Sequence, residues 1–217
     1  MAAARRSTMT DSHRSPFRLP LIAILRGIVP GEAVDHVGEL VAEGYDAIEI
    51  PLNSPDWEDS IGRAAQAHGA AAWIGGGTVL RPAQVDTLQR LGARFIVTPN
   101  TNPTLIRHAV AAGMQVVAGF ATASEAFAAL EAGAQMLKLF PAATYGTGHV
   151  RALRAVLPKQ IPLYVVGGVT PRSLPAWLAS GADGAGIGGE LYRPGQSPDT
   201  THVHARAFRQ ALAGPPA

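Results

Sequence analysis

Residues 130–141, LEAGAQMLKLFP, show most clearly the local pattern from which the architecture is predicted. A helical end is followed by Gly133 and then by a short run that is apolar apart from one lysine. Glycine suits the end of a helix because it enters the left-handed region without a Cβ clash. A run that is apolar on both faces is typical of a parallel strand covered by helices. The stretch therefore predicts a helix that ends at a glycine and leads into a buried strand.

The same unit recurs along the chain. It is found again in VAEGYDAIEIPL (41–52), QRLGARFIVTP (89–99), VAAGMQVVAGF (110–120) and LASGADGAGIGG (178–189). The marker glycines are Gly44, Gly69, Gly92, Gly113, Gly133 and Gly181. Successive markers are about 20 to 25 residues apart, and the last interval is about twice as long. A period of this kind indicates repeated supersecondary units.

Eight such units are predicted. The strands are expected at residues 20–26, 47–52, 73–78, 95–99, 115–120, 136–141, 163–168 and 184–189. The helices are expected near residues 31–43, 56–67, 82–90, 103–112, 123–132, 148–156, 171–180 and 198–213. Eight β-then-α units in about 200 residues favour one closed (β/α)8 barrel, the TIM barrel of the α/β class. A doubly wound open sheet is the alternative. Active sites of such barrels lie at the carboxyl ends of the strands.

Composition excludes several kinds of protein. The chain has 217 residues, of which 47% are hydrophobic and 16% charged, as in an ordered globular domain. The absence of cysteine rules out disulfides and cysteine-based metal sites. No apolar run approaches the roughly 18 residues that span a bilayer. We therefore expect no membrane partner and a cytoplasmic location.

The basic residues are concentrated at the N-terminus. Residues 1–18 contain four arginines and one aspartate, although the net charge of the whole chain is only +2. A nucleic-acid-binding protein more often carries its basic excess on the folded domain, so no nucleic-acid partner is expected. The segment has no apolar core of a secretory signal. We predict a disordered extension at residues 1–18, with a transit peptide as the alternative, and one barrel domain at residues 19–217.

Lys138 is the clearest candidate for covalent chemistry. The chain has 16 arginines and only two lysines, and one of the two lies inside an apolar strand. Arginine does not deprotonate under ordinary conditions, whereas burial converts lysine into an amine nucleophile. Strand parity puts Lys138 on one face with Met136, opposite Leu137 and Leu139. We predict that Lys138 points into the barrel. The alternative is a structural lysine paired with a carboxylate.

Two further charged residues fall at strand ends. Glu49 interrupts the strand of DAIEIPLNSP, and parity turns it inward, where a carboxylate could act as general acid and base. An ion pair with Lys138 or Arg26 is the alternative. Arg26, at the end of LIAILRG, is expected to face the same interior, where its guanidinium suits a carboxylate or a phosphate. A rim ion pair is the alternative for Arg26.

Glycine pairs end the last two strands. Gly167 and Gly168 follow strand seven, and Gly188 and Gly189 follow strand eight. Bare backbone N–H groups at these two strands are the usual phosphate site of a barrel. We predict phosphate binding there, because two pairs at the right strands are a stronger signal than one. No metal or cofactor is expected, since the seven histidines are scattered and there is no acidic cluster.

The strand-end motifs resemble those of a known family. They are LIAILRG (21–27), EIPLNSP (49–55), GGGTVL (75–80), FIVTPN (95–100), LKLFPA (137–142), VGGVTP (166–171) and GIGGELYRPGQS (186–197). Together they are similar to those of the 2-keto-3-deoxy-6-phosphogluconate/6-phosphogalactonate aldolases, over residues 19 to 213. The resemblance implies a class I barrel aldolase that works as a homotrimer without metal.

The resemblance also implies roles for individual residues. Lys138 matches the Schiff-base lysine and Glu49 the general acid/base. The residues that match those around the pyruvate moiety, or beside the lysine, are Arg26, Thr78, Pro99 and Phe140. Asn53 and Val166 stand where the gluconate enzymes have arginine and threonine, so the likeness is to the 6-phosphogalactonate branch. Gly189 stands where the family often has serine, which leaves the phosphate site without that hydroxyl.

The implied reaction is cleavage of 2-dehydro-3-deoxy-6-phospho-D-galactonate to pyruvate and D-glyceraldehyde 3-phosphate, in galactonate catabolism. The gluconate epimer as main substrate, or activity on both epimers, is the nearest alternative. A phosphosugar isomerase or synthase would keep the phosphate site without a covalent lysine. A non-catalytic binding barrel would tolerate arginine in place of Lys138.

Overall fold

The computed structural model describes residues 15–213 and shows a closed barrel of eight parallel strands, paired in the order β1 to β8 and back to β1. The strands are β1 Leu21–Ile24, β2 Ala47–Pro51, β3 Trp73–Gly77, β4 Phe95–Val97, β5 Gln115–Phe120, β6 Met136–Leu139, β7 Leu163–Val166 and β8 Gly184–Ile187. The helices are α1 Pro30–Ala42, α2 Trp57–His68, α3 Pro82–Arg90, α4 Pro103–Ala111, α5 Ala123–Glu131, α6 Ala142–Arg154, α7 Leu174–Ala179 and α8 Pro198–Leu212. The predicted (β/α)8 barrel is confirmed. The open-sheet alternative is excluded, because β1 pairs with β8.

The core has two layers. A large outer layer lies between the strands and the helices and includes Leu137 and Leu139 of β6. A smaller inner layer fills the barrel and includes Met136 of the same strand. Alternate residues of a strand face opposite sides of the sheet, so Lys138, two positions from Met136, faces the interior as predicted.

Local signals start several of the helices. Pro30, Pro82, Pro103 and Pro198 occupy the first turns of α1, α3, α4 and α8, where the missing N–H would have no partner inside the helix. Asn102 caps α4 by accepting hydrogen bonds from the backbone N–H groups of Thr104 and Leu105. These features are short-range, which explains why these helix starts were predicted to within about one residue.

Five of the six marker glycines adopt the predicted left-handed conformation. Gly133, for example, has φ of 99° after α5. Gly69 is the exception, because α2 ends there with φ of −60°. The repeat of units predicted from the glycines is therefore confirmed, although Gly69 does not end α2 in the left-handed conformation.

The predicted N-terminal boundary requires a correction. Phe17, placed in the disordered extension, is only 6% exposed and packs edge-on against Phe95 inside the amino end of the barrel. Ser15 is hydrogen bonded to the hydroxyl of Tyr164, and the backbone N–H of Arg18 donates to Asp46. Residues 15–18 belong to the fold because Phe17 packs into the inner layer of the barrel and its neighbours are hydrogen bonded to the barrel. The rest of the predicted extension, residues 1–14, lies outside the described residues, as do residues 214–217.

The ends of several elements also differ from the predictions. Seven strands end one or two residues early, because the residues at their carboxyl ends leave the sheet to form loops. Arg26 therefore lies in the β1–α1 loop rather than in the strand. Helix α6 starts at Ala142 instead of residue 148 and is interrupted at Gly146. Helix α7 starts at Leu174 instead of residue 171, because Thr170 and Ser173 form a hydrogen-bonded turn first. Among the described helices, none is long and apolar enough to cross a membrane.

Candidate active site

Lys138 is buried inside the barrel. It is 6% exposed, and its strand neighbours in register are Gly119 of β5 and Tyr164 of β7. Burial lowers the pKa of the Lys138 amine, and the charge of Arg26 lowers it further, while the charge of Glu49 opposes both. The amine forms no ion pair within 4.0 Å with a carboxylate of residues 15–213. The structural alternative, a lysine held by a carboxylate, is therefore not supported.

Space beside Lys138 comes from Gly119. A Cβ on Gly119 would lie 2.5 Å from both the carbonyl carbon of Pro99 and the carbonyl oxygen of Thr98. The backbone of the β4–α4 loop thus fills the volume that a side chain would take. This contact places Pro99, a predicted pocket residue, beside the strand position that is paired with Lys138.

Glu49 faces the same interior from β2. It is 2% exposed, and its Oε2 atom has no hydrogen-bond partner among residues 15–213. Burial raises the pKa of the Glu49 carboxyl to about 7, even though the charges of Lys138 and Arg26 act to lower it. A carboxyl group with a pKa close to neutral is suited to give and take protons. The alternative of a close ion pair is not supported, since neither Lys138 nor Arg26 lies within 4.0 Å of this carboxylate.

The position of Glu49 depends on a glycine in the next strand. A Cβ on Gly77 of β3 would overlap the Glu49 carboxyl group, with Oε1 2.6 Å away and Oε2 and Cδ closer still. The sequence pattern identified the glycine run of β3 as a strand end but did not connect it with Glu49. The carboxylate occupies the space where a β3 side chain would otherwise stand.

Arg26 is held by two of the predicted substrate-binding residues. One terminal nitrogen donates to Oδ1 of Asn53 at 2.5 Å, and the other lies 3.5 Å from the hydroxyl of Thr78. Thr78 itself has φ of 56°, an unusual value for a residue with a side chain. Ser54, which the sequence reasoning missed, is buried and accepts a hydrogen bond from the backbone N–H of Gly27 at 2.9 Å. These contacts fix the β1–α1 loop at the carboxyl end of the barrel.

A cavity of about 280 Å³ opens at this end of the barrel. We call it the strand-end cavity. It is lined by Ile24, Arg26, Phe140, Val166, Gly167, Gly168, Val169, Gly186, Gly188, Gly189, Glu190 and Arg193. All four predicted phosphate glycines are present, together with three of the six predicted substrate residues. Asn53, Thr78 and Pro99 do not line it, and Asn53 and Thr78 reach it through Arg26.

Phe140 connects the cavity with the buried amine. Its ring is 40% exposed, and the Nζ atom of Lys138 lies 5.0 Å from the ring centroid. Lys138 and Glu49 do not line the cavity themselves. The predicted residues therefore form two parts of one site, a buried pair of ionisable groups and a glycine-rich opening above it.

Two charged residues of the cavity were missed. Glu190 and Arg193 follow the second glycine pair, in the β8–α8 loop. The signal that could have found them is their position directly after a predicted phosphate motif. Among residues 15–213, no group of three or more histidine or acidic side chains is placed to hold a metal ion.

A buried amine and an inward carboxylate, each close enough to shift the pKa of the other, lie below a glycine-lined opening of a (β/α)8 barrel. This arrangement is that of a TIM-barrel aldolase, a carbon–carbon lyase. The family model described as KDPG and KHG aldolase matches residues 17–205, and the chain belongs to this family.

Similarity to known proteins supports the assignment of the chain to this family. The chain is 56% identical over 194 residues to the 2-dehydro-3-deoxy-6-phosphogalactonate aldolase of Escherichia coli K12, covering 89% of this chain and 95% of the relative. It is 47% identical to a probable enzyme of the same name from Rhizobium meliloti, over 84% of this chain and 86% of the relative. A solved structure described as native KDPGal has a TM-score of 0.89 and 55% identity, covering 90% of this chain and 95% of that one.

Proposed function

We propose that this protein is a class I aldolase that cleaves 2-dehydro-3-deoxy-6-phospho-D-galactonate to pyruvate and D-glyceraldehyde 3-phosphate in galactonate catabolism. The observation that carries the proposal is the Lys138 amine, which is buried inside the barrel with a lowered pKa and has no carboxylate of residues 15–213 within 4.0 Å. A neutral amine in such a position is suited to attack a ketone.

The reaction begins with attack of the Lys138 amine on the C2 ketone of the substrate. Loss of water from the carbinolamine gives an iminium ion, which accepts the electron pair when the C3–C4 bond breaks. The C4 hydroxyl loses its proton as glyceraldehyde 3-phosphate leaves. The remaining enamine is protonated at C3, and hydrolysis of the imine releases pyruvate and the free amine.

Glu49 is the proposed general acid and base of these steps. It gives a proton to the departing water and takes protons back in the later steps. Its pKa of about 7 supports this role, because both protonation states are populated near neutral pH. The Oε2 atom, which has no partner in the described part of the chain, also leaves a hydrogen-bonding position open to a reacting group.

The remaining predicted residues bind the two ends of the substrate. We assign the pyruvate moiety to Arg26, Thr78, Pro99 and Phe140. The phosphate is assigned to the glycine pairs of β7 and β8, whose four residues all line the strand-end cavity. Asn53, which accepts a hydrogen bond from Arg26, and Val166, which lines the cavity, are the positions expected to distinguish the C4 epimers.

A borohydride trap with pyruvate tests the covalent step. We expect a reduced adduct on Lys138, identified by peptide mass spectrometry, and no adduct in Lys138→Arg, because a guanidinium cannot form the imine. Lys159→Arg is the matched control, since it changes the other lysine of the chain. Absence of an adduct in the wild-type protein, or turnover by Lys138→Arg, would exclude the covalent mechanism and favour an isomerase, a synthase or a binding barrel.

The proposed preference for the galactonate epimer rests on the substrates for which the relatives are named. Those at 56% and 47% identity are named for the 6-phosphogalactonate substrate, whereas a Zymomonas mobilis relative named for phosphogluconate is 31% identical. Cleavage rates measured with both epimers at equal concentrations test this choice. We expect the galactonate epimer to be preferred, and equal rates would mean a dual-specificity enzyme with the same mechanism.

We also propose that the protein is a homotrimer in the cytoplasm. The support is the family resemblance together with exposed apolar side chains such as Phe127 and Tyr145, which are 40% and 41% exposed in the single chain. Light scattering after size exclusion measures the assembly directly. A monomer mass would exclude the trimer.

A further inference from the structure

We infer that Arg193 is the cation that binds the substrate phosphate, exchanging a weak ion pair with Glu190 for one with the phosphate. The inference rests on the proposed function, since it concerns the phosphate end of the same substrate.

The glycine pairs leave the phosphate without a balancing charge. Gly167, Gly168, Gly188 and Gly189 provide backbone groups only, and none of them has a hydroxyl to offer. A phosphate monoester carries roughly −1.5 to −2 charges at neutral pH. Backbone N–H groups orient such an anion, but an arginine adds charge-assisted and bidentate hydrogen bonds.

Two arginines, Arg26 and Arg193, line the strand-end cavity. The guanidinium of Arg26 already binds other residues of the site. Arg26 donates to Asn53 at 2.5 Å and approaches Thr78. Its guanidinium is therefore fixed on the β2 and β3 side of the site. Arg193 lies in the loop that directly follows Gly188 and Gly189, on the side of the predicted phosphate position.

Arg193 is anchored by one nitrogen, which leaves the rest of its guanidinium available. Its Nε donates to the carbonyl oxygen of Gly189 at 2.8 Å. One of its terminal nitrogens lies 3.6 Å from a carboxylate oxygen of Glu190, and the two side chains are 72% and 49% exposed. An ion pair that is this exposed contributes little stability. A phosphate dianion can displace Glu190 without removing the anchor on Gly189.

The loop around Arg193 is closed by Gln196. The side-chain oxygen of Gln196 accepts from the backbone N–H of Arg193 at 3.0 Å, and its side-chain nitrogen donates to Leu191 and to Thr201. These bonds tie the loop to the start of α8. The guanidinium is thus held beside the second glycine pair before substrate arrives, which reduces the entropy lost on binding.

Glu190 provides the negative charge that pairs with Arg193 before substrate binds. Glu190 lines the same cavity, and its carboxylate lies 3.6 Å from a terminal nitrogen of Arg193, so the two charges pair while phosphate is absent. Glu190 therefore competes with the phosphate. Removing the charge of Glu190 is expected to strengthen phosphate binding by up to about fivefold, the upper end of what an exposed ion pair contributes.

The experiment compares Arg193→Gln, Arg193→Lys and Glu190→Gln with the wild type. For Arg193→Gln we expect the KM for the phosphorylated substrate to rise about 10- to 100-fold, as for loss of a charged hydrogen bond, while kcat changes less than about threefold. Arg193→Lys should recover part of this loss, since it restores the charge but not the fork geometry. Arg63→Gln is the matched control, because Arg63 is also exposed and paired with an acid on its own helix, Asp59.

Two further measurements separate charge recognition from structure. The unphosphorylated 2-keto-3-deoxy acid should be cleaved equally by the wild type and by Arg193→Gln. Inorganic phosphate, titrated by calorimetry, should bind the wild type more tightly than Arg193→Gln and less tightly than Glu190→Gln. An unchanged KM in Arg193→Gln, or an equal loss with both substrates, would overturn the inference.

Failure of the proposed function can be recognised separately. Pyruvate has no phosphate, so borohydride trapping on Lys138 should be the same in Arg193→Gln and in the wild type. If the wild type is not trapped, the aldolase mechanism fails, but phosphate titration still decides the role of Arg193. If trapping succeeds and phosphate binds both proteins equally, only the role of Arg193 is refuted.

Discussion

Replacement of Gly77 by alanine is expected to disable Glu49 while the barrel still folds. The added Cβ would overlap three atoms of the Glu49 carboxyl group, of which Oε1 is 2.6 Å away. Glu49 is 2% exposed, so the carboxylate cannot move into solvent without leaving its position near Lys138. Loss of a general acid and base reduces turnover by about 10²- to 10⁴-fold. We therefore expect kcat of Gly77→Ala to fall by at least about 10²-fold.

Stability should change far less than activity. Overpacking a core by one methyl group costs about 1–3 kcal/mol. For a domain of this size each kcal/mol lowers Tm by about 2–4 °C. Thermal unfolding followed by circular dichroism should therefore show a folded variant with a Tm lower by roughly 2–12 °C, the product of those two ranges.

Gly76→Ala is the matched control for this prediction. Its Cβ would meet the side chain of Leu88 at 2.6 Å and that of Leu52 at 3.0 Å, on the outer face of the same strand. It should lose similar stability but keep kcat within about threefold, because the overlap does not involve Glu49. A coupled assay of pyruvate formation compares the two variants. Equal kcat values for Gly76→Ala and Gly77→Ala would refute the steric reasoning.

Three more predictions concern pH and stability. The rate should fall as pH drops through about 7, where the Glu49 carboxylate becomes protonated and no longer accepts a proton; an identical pH profile in Glu49→Gln would contradict this. Phe17→Ala should cost about 3–5 kcal/mol in urea unfolding, because Phe17 is 6% exposed, and a loss below about 1 kcal/mol would place this residue outside the core. Arg154→Ala should cost about 2–3 kcal/mol, since its guanidinium donates to Gly181 and pairs with Asp183; full stability in that variant would show that solvent replaces both contacts.

The inward direction of Lys138 and Glu49 could be predicted because it depends on local geometry. Alternate residues of a strand face opposite sides, and leucines or isoleucines flank both positions. The glycine pairs were also found, since strand ends and glycines are visible in a sequence. In contrast, Phe17 was assigned to the extension, because nothing in its neighbours indicates that the barrel interior needs it.

Contacts between segments that are far apart in the chain could not be predicted from the amino-acid sequence. Gly77 and Glu49 are brought together by the pairing of β2 with β3, and Ser54 supports Gly27 across two loops. Arg193 follows a motif that was recognised, but its anchor on Gly189 depends on how the loop closes. These relations need the register of the barrel and the path of the loops, which the one-dimensional pattern does not contain.

The eight-unit barrel, the inward lysine and carboxylate, and the glycine pairs could all be predicted from the amino-acid sequence. Each of these follows from a periodicity or a residue type within a few positions of the chain. The folded structure was needed to show that Glu49 is buried with a pKa of about 7, that Gly77 makes room for it and that Arg193 lies beside the glycine pairs. Burial and the local charge depend on atoms from other strands, and these atoms become neighbours only when the barrel closes.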